Sequence, residues 1–393
     1  MAGATGTGKS TLMTCFLGHD MYHRRPAVVI DPKSSIKLIS DLRALATRFG
    51  RDPKKLRVFS LSRPKESCYY NPIKHGTAIE KKDRIMGALE WSEQYYEALA
   101  GRYLSVILPI FECIGSLPTL AKLRNILIHR EWQALMRSKL TAASDQLVNA
   151  TNLLRELDDV LKIGRDKLEG LASQIGILDN PSNGHLLSPP DDCSNEIDLR
   201  EIRTKGEIAY FQLNTLASGD TARRIGRMIT EDLKAYCNAV FNDETASREF
   251  FPLYFDEFGA FATIQFIELL KQGGEAGFAV HLFCQGLEDL DAVTEVFRRQ
   301  SSSNPQTKVF LRIDDPKGVN EITSMIGTVD SLEQSHQVES GLGFRSKTGL
   351  GNLRETKSMR VEHDVIKRLN RGQAILIEKS PSREDLVQLW KII

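Results

Sequence analysis

The sequence predicts an α/β chain with a mostly parallel central sheet and an all-α insertion, and three observations carry that expectation. Short apolar strands alternate with helical stretches on both flanks, at 26–31, 56–61, 206–214, 250–255 and 278–284. From Leu117 to Leu178 no strand pattern occurs. The run Gly3-Ala4-Thr5-Gly6-Thr7-Gly8-Lys9-Ser10 satisfies G-x-x-x-x-G-K-[ST], a pattern that works at a strand-to-helix turn. The expected division is a first nucleotide-binding part at 1–112, the all-α insertion at 113–180 and a second nucleotide-binding part at 181–393.

The glycine-rich run opens the chain. Gly3, Gly6 and Gly8 let successive backbone N–H groups, including those of Thr5 and Thr7, turn inward around a phosphate, and the following helix aims its positive end at the same charge. Lys9 is expected to reach the β- and γ-phosphates of ATP, the Ser10 hydroxyl to ligate Mg²⁺, and Thr11 to complete the phosphate-binding turn. A P-loop is anchored by a strand ending at its first glycine, yet only Met1 and Ala2 precede it, so the first strand is expected to be missing and the start of the natural chain to lie upstream.

Ser10 to His19 reads as a helix, Pro26 to Asp31 as a strand, and Leu56 to Leu61 as a second strand. Tyr70-Asn71-Pro72-Ile73 turns the chain away, and Lys81 to Ile110 carries helical spacing. Leu147, Leu154, Leu157 and Leu161 predict one long amphipathic helix within the insertion. Residues 180–193, with Pro181, Pro189 and Pro190, form a linker back to the strand 206–214 and to a helix over 220–237. Arg223, Arg224 and Arg227 on that helix read either as a solvated face or as a DNA or inter-subunit contact. Strands are also expected at 307–313 and 372–377, separated by a mobile loop over Ser331–Ser358, rich in Ser, Gly, Lys and Gln.

Phe250 to Phe255 is an apolar strand ending in Asp256 and Glu257, the form of a Walker B segment. Emerging at the carboxyl edge of the sheet, Asp256 would join Ser10 at Mg²⁺ and Glu257 would polarise the attacking water. Gln285, at the end of the next strand, fits a γ-phosphate sensor or the cap of a helix beginning near Leu287. An arginine acting on a neighbouring subunit's γ-phosphate is expected among Arg298, Arg299 and Arg312; Arg312, closing the strand 307–313, is the choice taken, with a plain surface charge as the alternative for each.

Composition excludes little else. With 52 Lys+Arg against 51 Asp+Glu, a formal charge of +1 gives no global basic field, so any nucleic-acid contact must be local. Six cysteines without metal-ligand spacing predict buried thiols in a reducing, cytoplasmic compartment. The longest apolar stretch, Tyr103 to Gly115, falls short of the roughly 20 residues that span a bilayer.

Taken together, the P-loop at 3–10, Val-Val-Ile-Asp-Pro-Lys at 28–33, Tyr-Asn-Pro-Ile at 70–73, Tyr-Phe-Asp-Glu-Phe-Gly at 254–259 and Cys-Gln-Gly-Leu-Glu-Asp-Leu at 284–290 resemble the TraG/TraD group of type IV coupling proteins, more distantly FtsK/HerA-type translocases. That resemblance implies a RecA-like P-loop NTPase fold, ATP and Mg²⁺ as cofactors, a homo-hexameric ring threading DNA, and an all-α domain receiving single-stranded, relaxase-bound DNA. It further implies type IV secretion components as partners and a place at the cytoplasmic face of the bacterial inner membrane, reached through an N-terminal segment not found in this sequence. Two other readings compete: a protein-secretion ATPase of the same superfamily, and a non-hydrolysing module that binds substrate through the insertion.

Overall fold

A computed structural model of the chain describes residues 1–144, 148–162, 165–291, 293–341 and 344–390. It divides into two compact units. The larger comprises chiefly Met13–Phe283 and Ala292–Asn304; the smaller comprises Met1–Leu12, Cys284–Asp291 and Pro305–Lys391.

The larger unit is built on a five-stranded parallel sheet. Strands β1 (Ala27–Asp31), β2 (Leu56–Ser60), β3 (Ile208–Gln212), β4 (Phe251–Phe255) and β5 (Phe278–Leu282) lie in the order β2-β3-β1-β4-β5. Every residue of β1, β3 and β4 is buried. Burial on both faces explains why these strands read as unbroken apolar runs and not as alternating ones. Register is continuous: Val29 pairs with Tyr210 on one side and with Tyr254 on the other, and Ile30 faces Phe255. The mixed helix-sheet architecture and this parallel sheet are those of a RecA-like P-loop fold.

One helical expectation is refined here. The stretch 81–110 is two helices, Ala78–Ala88 and Gln94–Cys113, because the break between them satisfies its carbonyls from side chains: the Trp91 indole N–H donates to Met86 O at 3.5 Å and Gln174 Nε2 to Glu90 O at 2.5 Å. The first of the two is opened by a capping box between Thr77 and Glu80. The leucine stripe lies on one helix, Val148–Leu161, among the helices Leu120–Ile128, Arg130–Ser144 and Arg165–Leu178, and Leu147 lies outside the described residues. Leu157 is fully buried, so part of the leucine stripe is core.

In the smaller unit, β6 (Thr307–Phe310), β7 (Thr328–Gly341), β8 (Phe344–Met359), β9 (Gln373–Lys379) and β10 (Ser382–Gln388) follow in chain order. An antiparallel sheet runs β10-β9-β6, packed on a core of Phe310, Ile313, Val319, Ile322, Ile326, Ile375 and Ile377. The expected loop at 331–358 is instead the paired strands β7 and β8, in register from Thr328↔Met359 to Gly341↔Phe344 with an irregularity at His336/Val338. Polar composition suggests a loop, yet ladder hydrogen bonds are made by the backbone and do not require apolar side chains. Strand β10 carried no sequence signal: its residues are mostly exposed, Leu386 among them, so no apolar alternation marks it.

Candidate functional site

The phosphate-loop half belongs to the smaller unit. Ala2 bridges in parallel to both Cys284 and Phe310, its N–H donating to Val309 O at 3.0 Å and its carbonyl accepting from Leu311 N at 2.9 Å. Cys284 N–H donates to Met1 O at 3.0 Å, Gly3 N–H to Cys284 O at 3.3 Å, and Ala4 N–H to Arg312 O at 2.9 Å. A β-carbon on Gly3 would stand 2.6 Å from Leu311 Cβ and 2.9 Å from Thr7 Oγ1, so only glycine permits this approach.

From there the loop turns as its motif requires. Gly6 has φ +80°, conformational ground that side chains with a β-carbon avoid, and meets nothing within 4 Å. The Thr7 hydroxyl donates to Ala4 O at 2.7 Å, and Gly372 N–H donates to Thr7 O at 3.2 Å. Lys9 is 7% exposed and spends its ammonium on the loop itself, donating to Gly3 O at 2.5 Å and Ala4 O at 3.2 Å. A buried ammonium held over a glycine turn by two carbonyls fits an anion of the phosphate type. Helix Lys9–Tyr22 starts at that point, with Ser10 exposed and Thr11 half-buried.

Gln285 lies in the same unit, where its Oε1 accepts from the Thr5 hydroxyl at 3.1 Å. The capping alternative has no support from position, since the short 3-10 turn Glu288–Leu290 has Leu287 at its N-cap. The backbone N–H groups of Gln285 and Gly286 instead donate to Asp289 Oδ2, at 2.8 and 3.2 Å. Arg312 is half-exposed, with Nε 3.5 Å from Asp314 Oδ1.

The acidic half belongs to the larger unit. Beyond β4, Asp256 N–H donates to Ile30 O at 2.9 Å, continuing the pairing with β1 by one residue. Asp256 is 3% exposed, a buried oxygen donor of the hard kind that Mg²⁺ takes. Among the described residues no group of three or more His, Cys, Asp or Glu forms a metal cage. Mg²⁺ bound through one or two protein oxygens and substrate phosphates needs no such cage. Glu257 adopts φ 42°, ψ 51°, in the left-handed region, and its N–H donates to Asp256 Oδ1 at 3.1 Å.

Around these carboxylates stand residues to which sequence reasoning gave no role. Lys33 Nζ lies 2.5 Å from Glu257 Oε1 and 3.8 Å from Asp256 Oδ2. Its own N–H donates to Asp31 Oδ1 at 2.7 Å, and the Tyr210 hydroxyl donates to Asp31 Oδ2. Burial pushes the Asp31 carboxyl up to about 6, against those two bonds and with the neighbouring Asp256 charge. Burial works against the Lys33 ammonium, yet the bond to Glu257 and the Asp256 charge leave its pKa raised. The signal was the Val-Val-Ile-Asp-Pro-Lys run, in which Asp31 closes and Lys33 follows the strand that neighbours β4.

Other candidate arginines are placed differently. Arg298 and Arg299 lie on helix Glu295–Ser303 of the larger unit, Arg299 exposed. Of the three on helix Thr215–Phe241, Arg224 is buried, with Nε donating to Asp220 Oδ2 at 2.9 Å and Nη1 to Gln174 Oε1. Arg227 pairs with Glu90 at 3.0 Å. Only Arg223 is exposed, so this is not a uniformly solvated face. All six cysteines are free thiols, and among the described residues no helix is long and apolar enough to cross a membrane.

Residues 251–371 match the family model described as the TraM recognition site of TraD and TraG. In fold, the chain is similar to the bacterial conjugative coupling protein TrwBdeltaN70 in its unbound monoclinic form, with TM-score 0.66 and 16% identity over 100% of this chain and 84% of that one. Plasmid coupling protein TrwB in complex with ADP and Mg²⁺ matches with TM-score 0.65 and 15% identity, over 100% and 84%. VirB4 of Thermoanaerobacter pseudethanolicus matches with TM-score 0.56 and 11% identity, over 99% and 88%. No curated protein sequence matches. The resemblance to type IV coupling proteins is met by the domain at 251–371 and, at these identities, by the fold of the whole chain.

Proposed function

We propose, from the TraD/TraG domain at 251–371 and the coupling-protein fold, that this chain is the ATP-hydrolysing part of a type IV coupling protein. The observation that carries the hydrolytic reading is the glycine turn closed around the buried Lys9 ammonium. In this reading Gly3, Thr5, Gly6, Thr7 and Gly8 supply the turn and its N–H donors, Lys9 neutralises phosphate charge, and Thr11 supports the loop from the first helical turn. Ser10 and Asp256 would hold Mg²⁺, which when bound neutralises charge on the phosphate oxygens. Glu257 orients and deprotonates the attacking water, Gln285 senses the γ-phosphate through its amide, and Arg312 serves a neighbouring subunit of a homo-hexamer. The division into nucleotide-binding parts at 1–112 and 181–393 around an insertion at 113–180 belongs to the same proposal.

The cargo in this reading is single-stranded, relaxase-bound DNA, passed to type IV secretion components at the cytoplasmic face of the inner membrane. The match of residues 251–371 to the TraM recognition site of TraD and TraG adds a TraM-type protein as a partner. The test is hydrolysis by the purified chain with and without DNA across a salt series. Lys9→Ala and Glu257→Gln are each expected to reduce turnover by about 100-fold or more. Survival of hydrolysis in both variants overturns the site. Hydrolysis that ignores DNA at every salt concentration overturns the DNA cargo and favours a protein-secretion ATPase, because phosphate contacts are strongly salt-dependent. Absence of nucleotide binding favours the non-hydrolysing module.

A further inference from the structure

We infer that Lys33 is a positioning residue that holds the Glu257 carboxylate and restrains its action on water, an inference that rests on the hydrolytic reading of Glu257. The sheet register creates the need for it. Ile30 pairs with Phe255, so the next residues, Asp31 and Asp256, end neighbouring parallel strands, and their like charges are brought together at one edge. Glu257 adds a third carboxylate one residue later.

The chain supplies its own countercharge. After Pro32, the Lys33 N–H donates back to Asp31 Oδ1 at 2.7 Å, a turn in which an aspartate side chain takes the backbone N–H two residues on. That turn carries the lysine side chain over the strand ends, where Nζ reaches Glu257 Oε1 at 2.5 Å and Asp256 Oδ2 at 3.8 Å. The Tyr210 hydroxyl holds the second Asp31 oxygen from the adjacent strand β3, so the base of the turn is fixed on both sides.

The other end of the pair is fixed as well. Glu257 sits at φ 42°, ψ 51°, a conformation costing a non-glycine residue on the order of 1–2 kcal/mol. Its N–H bond to Asp256 Oδ1 holds that backbone beside the strand end. Lys33 and Glu257 therefore meet because two strand-end turns aim them at each other.

The consequence for chemistry follows from acceptor capacity. The Glu257 lone pair that accepts the charge-assisted bond at 2.5 Å cannot accept from water at the same time, and the bond holds that oxygen in place. The restraint can still open. The Lys33 side chain is 46% exposed and that of Glu257 25%, so water can replace either partner, and a part-exposed pair of this kind is worth little energy. Lys33 thus sets a threshold on Glu257 and does not bury it permanently.

Two measurements on the full chain test this. A double-mutant cycle of Lys33→Met and Glu257→Gln, read by denaturant unfolding, is expected to show a coupling of about 2- to 5-fold in the unfolding equilibrium constant. No coupling overturns the proposal, whether or not the protein hydrolyses ATP. In steady-state hydrolysis without DNA, Lys33→Met is expected to raise kcat by a similar factor of about 2 to 5 while KM stays unchanged, and Lys33→Arg is expected to return kcat to the wild-type value. A kcat that falls or stays the same in Lys33→Met, or a KM that moves with it, overturns the restraint. If wild type itself fails to hydrolyse ATP, the proposed function falls, while the unfolding cycle still reports whether the pair is formed.

Discussion

The acidic half and the phosphate-loop half are fixed by different means. Asp256 and Glu257 follow a five-residue strand buried along its whole length, with β1 on one side and β5 on the other. The phosphate loop follows one bridging residue, Ala2, and gains its shape from backbone bonds to residues more than 280 positions away together with the close fit of Gly3 against Leu311. In the first case a carboxylate is aimed by sheet register. In the second, a loop is aimed by the absence of side chains where backbone must approach closely. The two therefore differ in what damages them: apolar and charge balance around the strands for one, single added atoms for the other.

The largest effect that would sharpen this contrast is expected from Gly3→Ala. Its β-carbon must displace Leu311 Cβ from 2.6 Å, so we expect a stability loss of about 1–3 kcal/mol in denaturant unfolding and loss of measurable nucleotide affinity. Retention of wild-type affinity would show that the loop accommodates crowding and break the comparison.

A pH series tests the strand side. His281 of β5 stacks on Tyr254 of β4, with centroids 4.5 Å apart and planes 7° from parallel, and burial holds its pKa down to about 4. The unfolded imidazole titrates near 6.5, so between pH 6.5 and 4 the unfolded state binds the additional proton and stability falls as pH falls. Asp31, raised to about 6, titrates in the same window with the opposite sign, so the His281 contribution is read as the difference between wild type and His281→Phe, expected to reach about 1–3 kcal/mol by pH 4. An unchanged slope in that variant would separate the acidic half from the packing of its own strand.

The smallest effect is expected from Gly6→Ala. Nothing lies within 4 Å of the added atom, and only the φ of +80° opposes it, at about 1–2 kcal/mol of local strain. Nucleotide affinity, measured by titration calorimetry, should weaken by about tenfold and not disappear. Equal damage from Gly6→Ala and Gly3→Ala would mean that backbone conformation, and not close approach, governs the loop.

Legibility in the sequence followed the same physical lines. Strands β1, β3 and β4 were readable because burial on both faces selects continuous apolar residues, and the phosphate loop because its chemistry fixes residue type at fixed spacing. The β7–β8 pairing was not readable, since its Ser-, Gly-, Lys- and Gln-rich composition carries no alternation of apolar and polar residues. The break at 89–93 was hidden for another reason: the groups that satisfy it include Gln174, far along the chain. Lys33 was quoted within a motif but carried no role, because nothing in a run of six residues says which strand will neighbour it.

The sequence by itself determined the elements, the phosphate loop and the pair of carboxylates closing β4, because each depends on residue type over a few consecutive positions. Tertiary structure alone decided that Ala2 would bridge Cys284 and Phe310, and that Lys33 would meet Glu257. Those outcomes depend on which segments become neighbours, and that choice is made by burial and register across the whole chain, beyond the reach of any local pattern.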